Sequence, residues 1–166
     1  MAAANLTAQR LREILFYSPE SGLFSAIAPA KATNGGAWCV DKATGYVRIR
    51  IDGDLHHAHR LAWLYVTGAW PNGVIDHING IKSDNSIANL RDASAATNAQ
   101  NIRFAQKNNF SSGYLGVTKS HCISKPWLAQ ITVNRRCIKI GYFATADEAH
   151  NAYLQKKREL HFGCSI

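Results

Sequence analysis

Residues Val74 to Ile102 read VIDHINGIKSDNSIANLRDASAATNAQNI, and this stretch organises the rest of the chain. Asp76 and His77 stand side by side. Asn89 follows Asp76 by 13 residues, and Asn98 follows Asn89 by 9. Each residue alone fits a turn or a helix cap, since Asp and Asn favour both positions. Together they suit a metal-assisted phosphodiester hydrolysis. Asp76 and Asn98 offer hard oxygen ligands for Mg or Mn, and His77 can take a proton from water.

The same residues, followed by Asn101, resemble the Asp-His/Asn/Asn form of the HNH nuclease motif. The chain is similar here to phage-type homing endonucleases of the His-Me finger (ββα-metal) group. The similarity extends to HRLAWLYVTGAWP at 59–71, before the motif, and to NLRDASAATNAQN at 89–101, within it.

The resemblance implies a role for each residue of the set. His77 is the general base, and Asp76 and Asn98 hold one divalent metal ion, Mg or Mn. Asn89 belongs to the catalytic set as the brace of the loop. The alternative is a DNA-binding regulator that retains the fold without turnover. An RNA-binding or assembly protein is a third class, supported by charge alone.

Length and composition limit the fold and the compartment. The 166 residues suffice for one ordinary domain or two small ones, and 46% hydrophobic content allows a core. No apolar run reaches the roughly 20 residues of a membrane span, and the first residues lack a secretory pattern. Four scattered cysteines without a C-x-x-C pair indicate reduced thiols and no structural zinc. We therefore expect a cytoplasmic protein of a bacterium or a phage-infected cell, with no membrane partner.

Charge is unevenly distributed along the chain. The formal charge of +8 divides into a net +2 through Phe104 and a net +6 from Ala105 onward. A basic C-terminal third fits a polyanion, and with the nuclease motif the expected partner is double-stranded DNA.

Hydrophobic periodicity predicts an α+β protein: a ββα-metal HNH module, then a three-stranded antiparallel sheet packed on one C-terminal helix. The predicted domains are residues 1–105 and 113–166, joined by a polar linker at 106–112. In the first domain we expect a helix that starts at Asn5–Thr7, with Leu11, Ile14 and Leu15 as its apolar stripe. A loop from Pro29 to Gly36 and a helix over 59–67 follow. A further helix is expected to be capped by Ser94 or Asp92. The expected strands of this domain are 23–27, 45–51, 55–58, 74–78 and 89–91.

Several basic residues of the first domain are candidates for DNA contact. Arg48 and Arg50 lie on the polar face of the strand 45–51, where they fit either phosphate contacts or an ordinary solvated face. Arg60 and His59 occupy the place of a recurrent His-Arg pair in the family. His56, His57 and His59 cluster in sequence, but His56 and His57 alternate across a strand, which disfavours a zinc site.

The second domain has clear alternation. Trp127, Ala129, Ile131 and Val133 are expected inward, as are Ile138, Ile140 and Tyr142 of the next strand. Arg135-Arg136 are expected to make the turn between these strands. The capping box from Thr145 to Glu148 starts a helix that ends at Gly163. Tyr-x-Gly-Val, Trp-x-Ala-x-Ile, Gly-Tyr-Phe-x-Thr and Glu-Ala-x-x-Ala-Tyr resemble the plant ethylene-response-factor (ERF-type) DNA-binding domain.

The resemblance places the sheet in the major groove of DNA. The predicted DNA-contacting residues of this domain are Lys119, Gln130, Thr132, Arg135, Arg136 and Lys139. Where the plant pattern has Arg and Trp on the outer face, this sequence has fewer arginines. Fewer arginines make fewer bidentate contacts with guanine, so the DNA sequence preference of the plant domains does not transfer to this chain.

Overall fold

The computed structural model describes residues 6–27, 38–102, 105, 109 and 111–161. It has mixed α+β architecture with several short antiparallel sheets, as the sequence predicts. The predicted Asn5 cap, the whole predicted loop from Pro29 to Gly36, and Gly163 lie outside these residues. The helices are α1 (Ala8–Ile14), α2 (Ala58–Thr67), α3 (Ala95–Gln100) and α4 (Ala146–Leu160). The strands are β1 (Leu15–Tyr17), β2 (Phe24–Ala26), β3 (Trp38–Val40), β4 (Val47–Ile51), β5 (Asp54–His57), β6 (Val74–His77), β7 (Leu90–Ala93), β8 (Val117–Lys119), β9 (Trp127–Val133) and β10 (Arg136–Phe143).

The chain forms two compact units, Met1–Ala95 and Ala96–Ile166. This division precedes the predicted linker, of which the structure describes only Asn109, Ser111 and Ser112. The domain limits 1–105 and 113–166 therefore stay predictions.

Helix α2 is the centre of the first unit because it packs into two clusters. Leu61 and Leu64 join Leu11 of α1 and Ile51 of β4 in one buried cluster. Ala62 lies in a second, with Tyr17, Ile75 and Leu90. This second cluster seats the β6–β7 pair, which carries Asp76 and His77, against α2.

Two short strands of the first unit are absent from the sequence prediction. Leu15, expected in the helical stripe, instead begins β1, which pairs with β2 from Leu15↔Ala26 to Tyr17↔Phe24. β3 pairs with β4, starting at Trp38↔Ile49. All three residues of β3 are exposed, so β3 has no apolar alternation from which to predict it.

The predicted Asp92 cap for α3 is wrong. Asp92 accepts hydrogen bonds from the backbone N–H groups of Asn72 (2.9 Å) and Gly73 (2.8 Å). It therefore fastens the chain entering β6 to β7, while Ser94 stands immediately before α3. A short 3₁₀ turn, Ile87–Asn89, leads into β7.

In the second unit, α4 packs on the sheet β10–β9–β8, and the core contains Val117, Ala129, Ile131, Ala149 and Tyr153. Both hydrogen bonds of the predicted capping box at Thr145 and Glu148 are present. Gly116 has a φ of +76°, and a Cβ there would overlap the Tyr153 ring. The glycine thus lets the chain before β8 approach α4 closely.

Two predictions for this sheet are wrong. The turn is made by Asn134 and Arg135, both with positive φ, and Arg136 already pairs with Val133. The register shifts between Lys139 and Gly141, so Tyr142 pairs with Leu128 of the outer face and is 44% exposed. A β-bulge reverses the inward–outward phase of a strand, which alternation alone does not reveal.

None of the helices in the described part of the chain is long and apolar enough to cross a bilayer. Cys39, Cys122 and Cys137 are free thiols.

Candidate functional site

His77 ends β6 and is only 4% exposed. Its Nε2 lies 3.3 Å from Oδ1 of Asn85. The rings of His59 and Tyr46 pack against it, with centroids 5.2 Å and 5.9 Å from that of His77. Burial lowers the pKa of His77, and the hydrogen bond to Asn85 and the charge of Asp76 oppose that effect. The ring is therefore neutral near pH 7 and able to accept a proton.

Asp76 lies on the opposite face of β6 from His77. It pairs across the strands with Arg91, whereas His77 pairs with Leu90. Asp76 is 6% exposed, and its Oδ2 accepts hydrogen bonds from Nε (2.8 Å) and Nη2 (2.5 Å) of Arg91. A buried carboxylate must be paired to be tolerated, and Arg91 supplies that pairing.

The donor chemistry fits the divalent metal implied by the resemblance. A carboxylate oxygen from Asp76 and an amide oxygen from Asn98 are hard ligands of the type Mg and Mn prefer. Within the described ranges, no group of three or more His, Cys, Asp or Glu residues is arranged to hold a metal ion.

Asn89 connects the two ends of the loop between β6 and β7. Its Oδ1 accepts from the N–H of Asn79 (2.8 Å), and its Nδ2 donates to the carbonyl of Asp84 (2.8 Å). The side chain is largely buried, so both backbone groups depend on it for a partner. This geometry supports the proposed role of Asn89 as a loop brace.

Replacing Asn89 with Ala should lower both stability and activity. The substitution leaves two backbone groups of a part-buried loop without partners, at a cost of about 1–3 kcal/mol in the free energy of unfolding. Urea unfolding monitored by tryptophan fluorescence measures this change. Asn72→Ala, at an exposed Asn, is the matched control and should leave stability within about 0.5 kcal/mol of wild type. An unchanged stability with lost activity would instead make Asn89 a direct catalytic residue.

Asn98 lies on α3 and is exposed, and it belongs to the second compact unit, whereas Asp76, His77 and Asn89 belong to the first. Within the second unit, the N–H of Asn101 donates to the carbonyl of Asn98 (3.1 Å). The buried ammonium of Lys157 donates to the carbonyl of Ile102. Helix α4 thereby anchors the segment that follows α3.

Three further rings surround His59 in the first unit. His57 stacks on it at 5.1 Å, Tyr46 lies at 5.1 Å and His77 at 5.2 Å between centroids. Burial, with smaller effects from neighbouring positive groups, lowers the pKa of His59 to about 3. The Nδ1 atoms of His57 and His59 are buried without a hydrogen-bond partner. His59 is thus a neutral packing partner of His77, a role that the sequence left open.

The arginines proposed for DNA contact in the first unit have protein partners. Arg48 Nη2 forms an ion pair with Asp41 at 2.6 Å. Arg50 Nη1 donates to the carbonyl of Gly53 at 2.8 Å. The guanidinium of Arg60 lies 5.5 Å from the centroid of the Trp70 ring. Arg50 is exposed and Arg48 and Arg60 are half-buried, so DNA contact by each stays a prediction.

In the second unit, one sheet face carries three of the predicted DNA contacts, Gln130, Thr132 and Lys139. Cross-strand pairs Cys137–Thr132, Lys139–Gln130 and Tyr142–Leu128 lie side by side along it. The Cys137 thiol donates to Oε1 of Gln130 at 3.5 Å. Arg135 and Arg136 are exposed at the turn, and Lys119 is exposed at the end of β8.

Asn85, Tyr46 and Arg91 are site residues that sequence reasoning missed. Asn85 looks like an ordinary turn residue in the loop, and Tyr46 stands well before the motif in the chain. The sequence did contain a signal for Arg91. If the two predicted strands pair as a hairpin, the acidic Asp76 stands opposite the basic Arg91.

Strand β6 thus carries a neutral buried imidazole on one face and a buried carboxylate on the other, and a neutral imidazole is suited to act as a general base in hydrolysis. Residues 56–100 match the family model described as HNH endonuclease. This match supports an HNH nuclease domain in that part of the chain. Comparisons with curated proteins and with solved structures found no match.

Proposed function

We propose that the protein is a metal-dependent DNA endonuclease that hydrolyses phosphodiester bonds. The observation that carries the proposal is the match to HNH endonucleases over residues 56–100, because this span contains Asp76, His77, Asn89 and Asn98. The ββα-metal character and the phage or prophage homing type rest on the resemblance of the motif. We also propose a cytosolic site of action, consistent with the free thiols.

His77 takes the proton from the attacking water, because burial lowers the pKa of its ring and so keeps the ring neutral. Asp76 and Asn98 would hold one Mg or Mn ion, and such an ion would supply positive charge that stabilises the phosphate during hydrolysis. Arg91 orients the Asp76 carboxylate through its two hydrogen bonds to Oδ2. Asn89 holds the loop so that His77 keeps its position. By resemblance, the 3′ oxygen leaves and the 5′ end retains the phosphate.

For the second unit we propose DNA binding by the outer sheet face, in the manner of an ERF-type domain. On this face Lys139 supplies a phosphate contact and Gln130 and Thr132 face the bases. Lys119 at the end of β8 and Arg135 and Arg136 at the turn add phosphate contacts beside the face. Arg48, Arg50 and Arg60 add phosphate contacts near the cleavage site.

A plasmid assay tests the nuclease. Supercoiled plasmid incubated with the full chain should become nicked or linear in Mg or Mn, and remain intact in EDTA. Asn72→Ala, at an exposed Asn outside the site, should cut as the wild type does. Binding without cleavage in either metal would refute the nuclease and favour a non-catalytic DNA-binding regulator.

Replacing Arg135 and Arg136 with Ala should weaken DNA binding about equally for all sequences. Removing one protein–phosphate interaction reduces the slope of log affinity against log salt by about one unit. Fluorescence anisotropy over a series of salt concentrations measures this slope. Lys156→Ala is the matched control, because Lys156 pairs with Glu159 on α4, outside the outer sheet face. If the double variant keeps the wild-type slope, the turn does not bind phosphates.

A further inference from the structure

We propose that Asn85 is a positioning residue that holds His77 in the tautomer with its proton on Nε2, so that Nδ1 is the atom that accepts the proton of water. The role of Nδ1 rests on the proposed nuclease function. The assignment of the tautomer stands on the contacts of Asn85 alone.

The orientation of the Asn85 amide is determined by its own partners. Its Nδ2 donates to the carbonyl of Ser83 at 3.2 Å, so Oδ1 is the atom that lies 3.3 Å from Nε2 of His77. A carboxamide oxygen only accepts hydrogen bonds. Nε2 must therefore be the donor, and in a neutral imidazole the lone pair then resides on Nδ1.

The loop that carries Asn85 is fixed from the N-terminal side of the unit. The Tyr17 hydroxyl donates to the carbonyl of Asn85 at 2.7 Å, and the N–H of Ile87 donates to the carbonyl of Pro19 at 2.9 Å. Gly22, with a φ of +72°, lies so close that a Cβ would overlap the backbone of Asn85 and Ser86. Asn85 is 3% exposed, so water cannot readily replace its amide.

The plane of the His77 ring is also held by packing. His59 meets it edge to face at an interplanar angle of 85°, and Tyr46 lies against it at 40°. Exchanging the two ring nitrogens by rotation would require these packed rings to move. Packing thus fixes the ring plane, and Asn85 selects the nitrogen that holds the proton.

Long-range ¹H–¹⁵N NMR of the full chain labelled on histidine ¹⁵N tests the tautomer without DNA or metal. The His77 signals are assigned by their loss in His77→Gln. The wild type should show the Nε2–H pattern. Asn85→Leu, similar in volume but unable to accept a hydrogen bond, should lose that pattern, whereas Asn85→Asp should retain it.

Tyr17→Phe provides a matched control for stability. It removes the hydrogen bond to the Asn85 carbonyl but leaves the side-chain amide intact, so the melting temperature should fall while the tautomer stays. In plasmid cleavage, Asn85→Leu should lower kcat by about 10- to 100-fold with little change in KM, and Asn85→Asp should recover most of kcat.

The outcomes separate this proposal from the nuclease itself. The Nδ1–H pattern in the wild type would overturn it, as would a loss of kcat in Tyr17→Phe as large as that in Asn85→Leu. Retention of both tautomer and kcat by Asn85→Leu would overturn it as well. The Nε2–H pattern in a protein that cuts no DNA would support the tautomer assigned from Asn85 and refute the nuclease function.

Discussion

Replacing His77 with Ala is expected to reduce DNA cleavage by about 100- to 10,000-fold while the protein still folds and binds DNA. This range is typical for the loss of a general base. His77 is the imidazole next to Asp76 within the matched HNH segment, and burial keeps it neutral and ready to accept a proton. The measurement is the rate of plasmid nicking at saturating enzyme, with DNA binding followed in parallel by anisotropy.

Because the His77 ring is buried against Tyr46 and His59, its removal also leaves a cavity. His77→Gln separates the two effects. Gln fills more of the space and has an amide that can donate to Asn85, but it has no basic nitrogen. Both variants should lose cleavage, with the smaller loss of stability in His77→Gln. Nicking at the wild-type rate by His77→Gln would show that His77 is not the base.

Local patterns allowed much of the fold to be predicted. The alternation of β9 and the capping box of α4 depend on neighbours within a few residues, and both are present. The bulge after Lys139 and the pairing of β3 depend on strands that meet only in the folded chain. Propensity and periodicity carry no information about such pairings.

The candidate site shows the same limit. Asp76, His77 and Asn89 are visible in the sequence because their types and spacing resemble a motif. Asn85 has the same residue type as many turn residues, and its role arises from a hydrogen bond of 3.3 Å across the loop. Gly22 packs closely on the backbone of Asn85, and a 3₁₀ turn follows at Ile87–Asn89; no sequence pattern indicates either feature.

The Asp76–Arg91 pair determines how the proposed metal ligand should be tested. Asp76→Ala would remove the carboxylate that pairs with the Arg91 guanidinium, which is only 26% exposed. The variant would then lose stability as well as metal binding, and the two losses could not be told apart. Asp76→Asn keeps an oxygen that accepts from Arg91 but removes the negative charge that holds a divalent cation. It is therefore the informative substitution.

Asp76→Asn is expected to abolish cleavage supported by Mg or Mn and to remove the stabilisation that either ion gives to the folded protein. A ligand that binds only the native state stabilises it by about 2.7 kcal/mol at a concentration of 100 times Kd. The wild-type melting temperature should therefore rise with added Mn and return with EDTA, whereas that of Asp76→Asn should not move. Arg91→Gln is the matched control: it retains the carboxylate and removes a competing cation, so Mn should still stabilise it, at an equal or lower concentration. An equal rise in melting temperature for Asp76→Asn and wild type would show that Asp76 does not bind the metal.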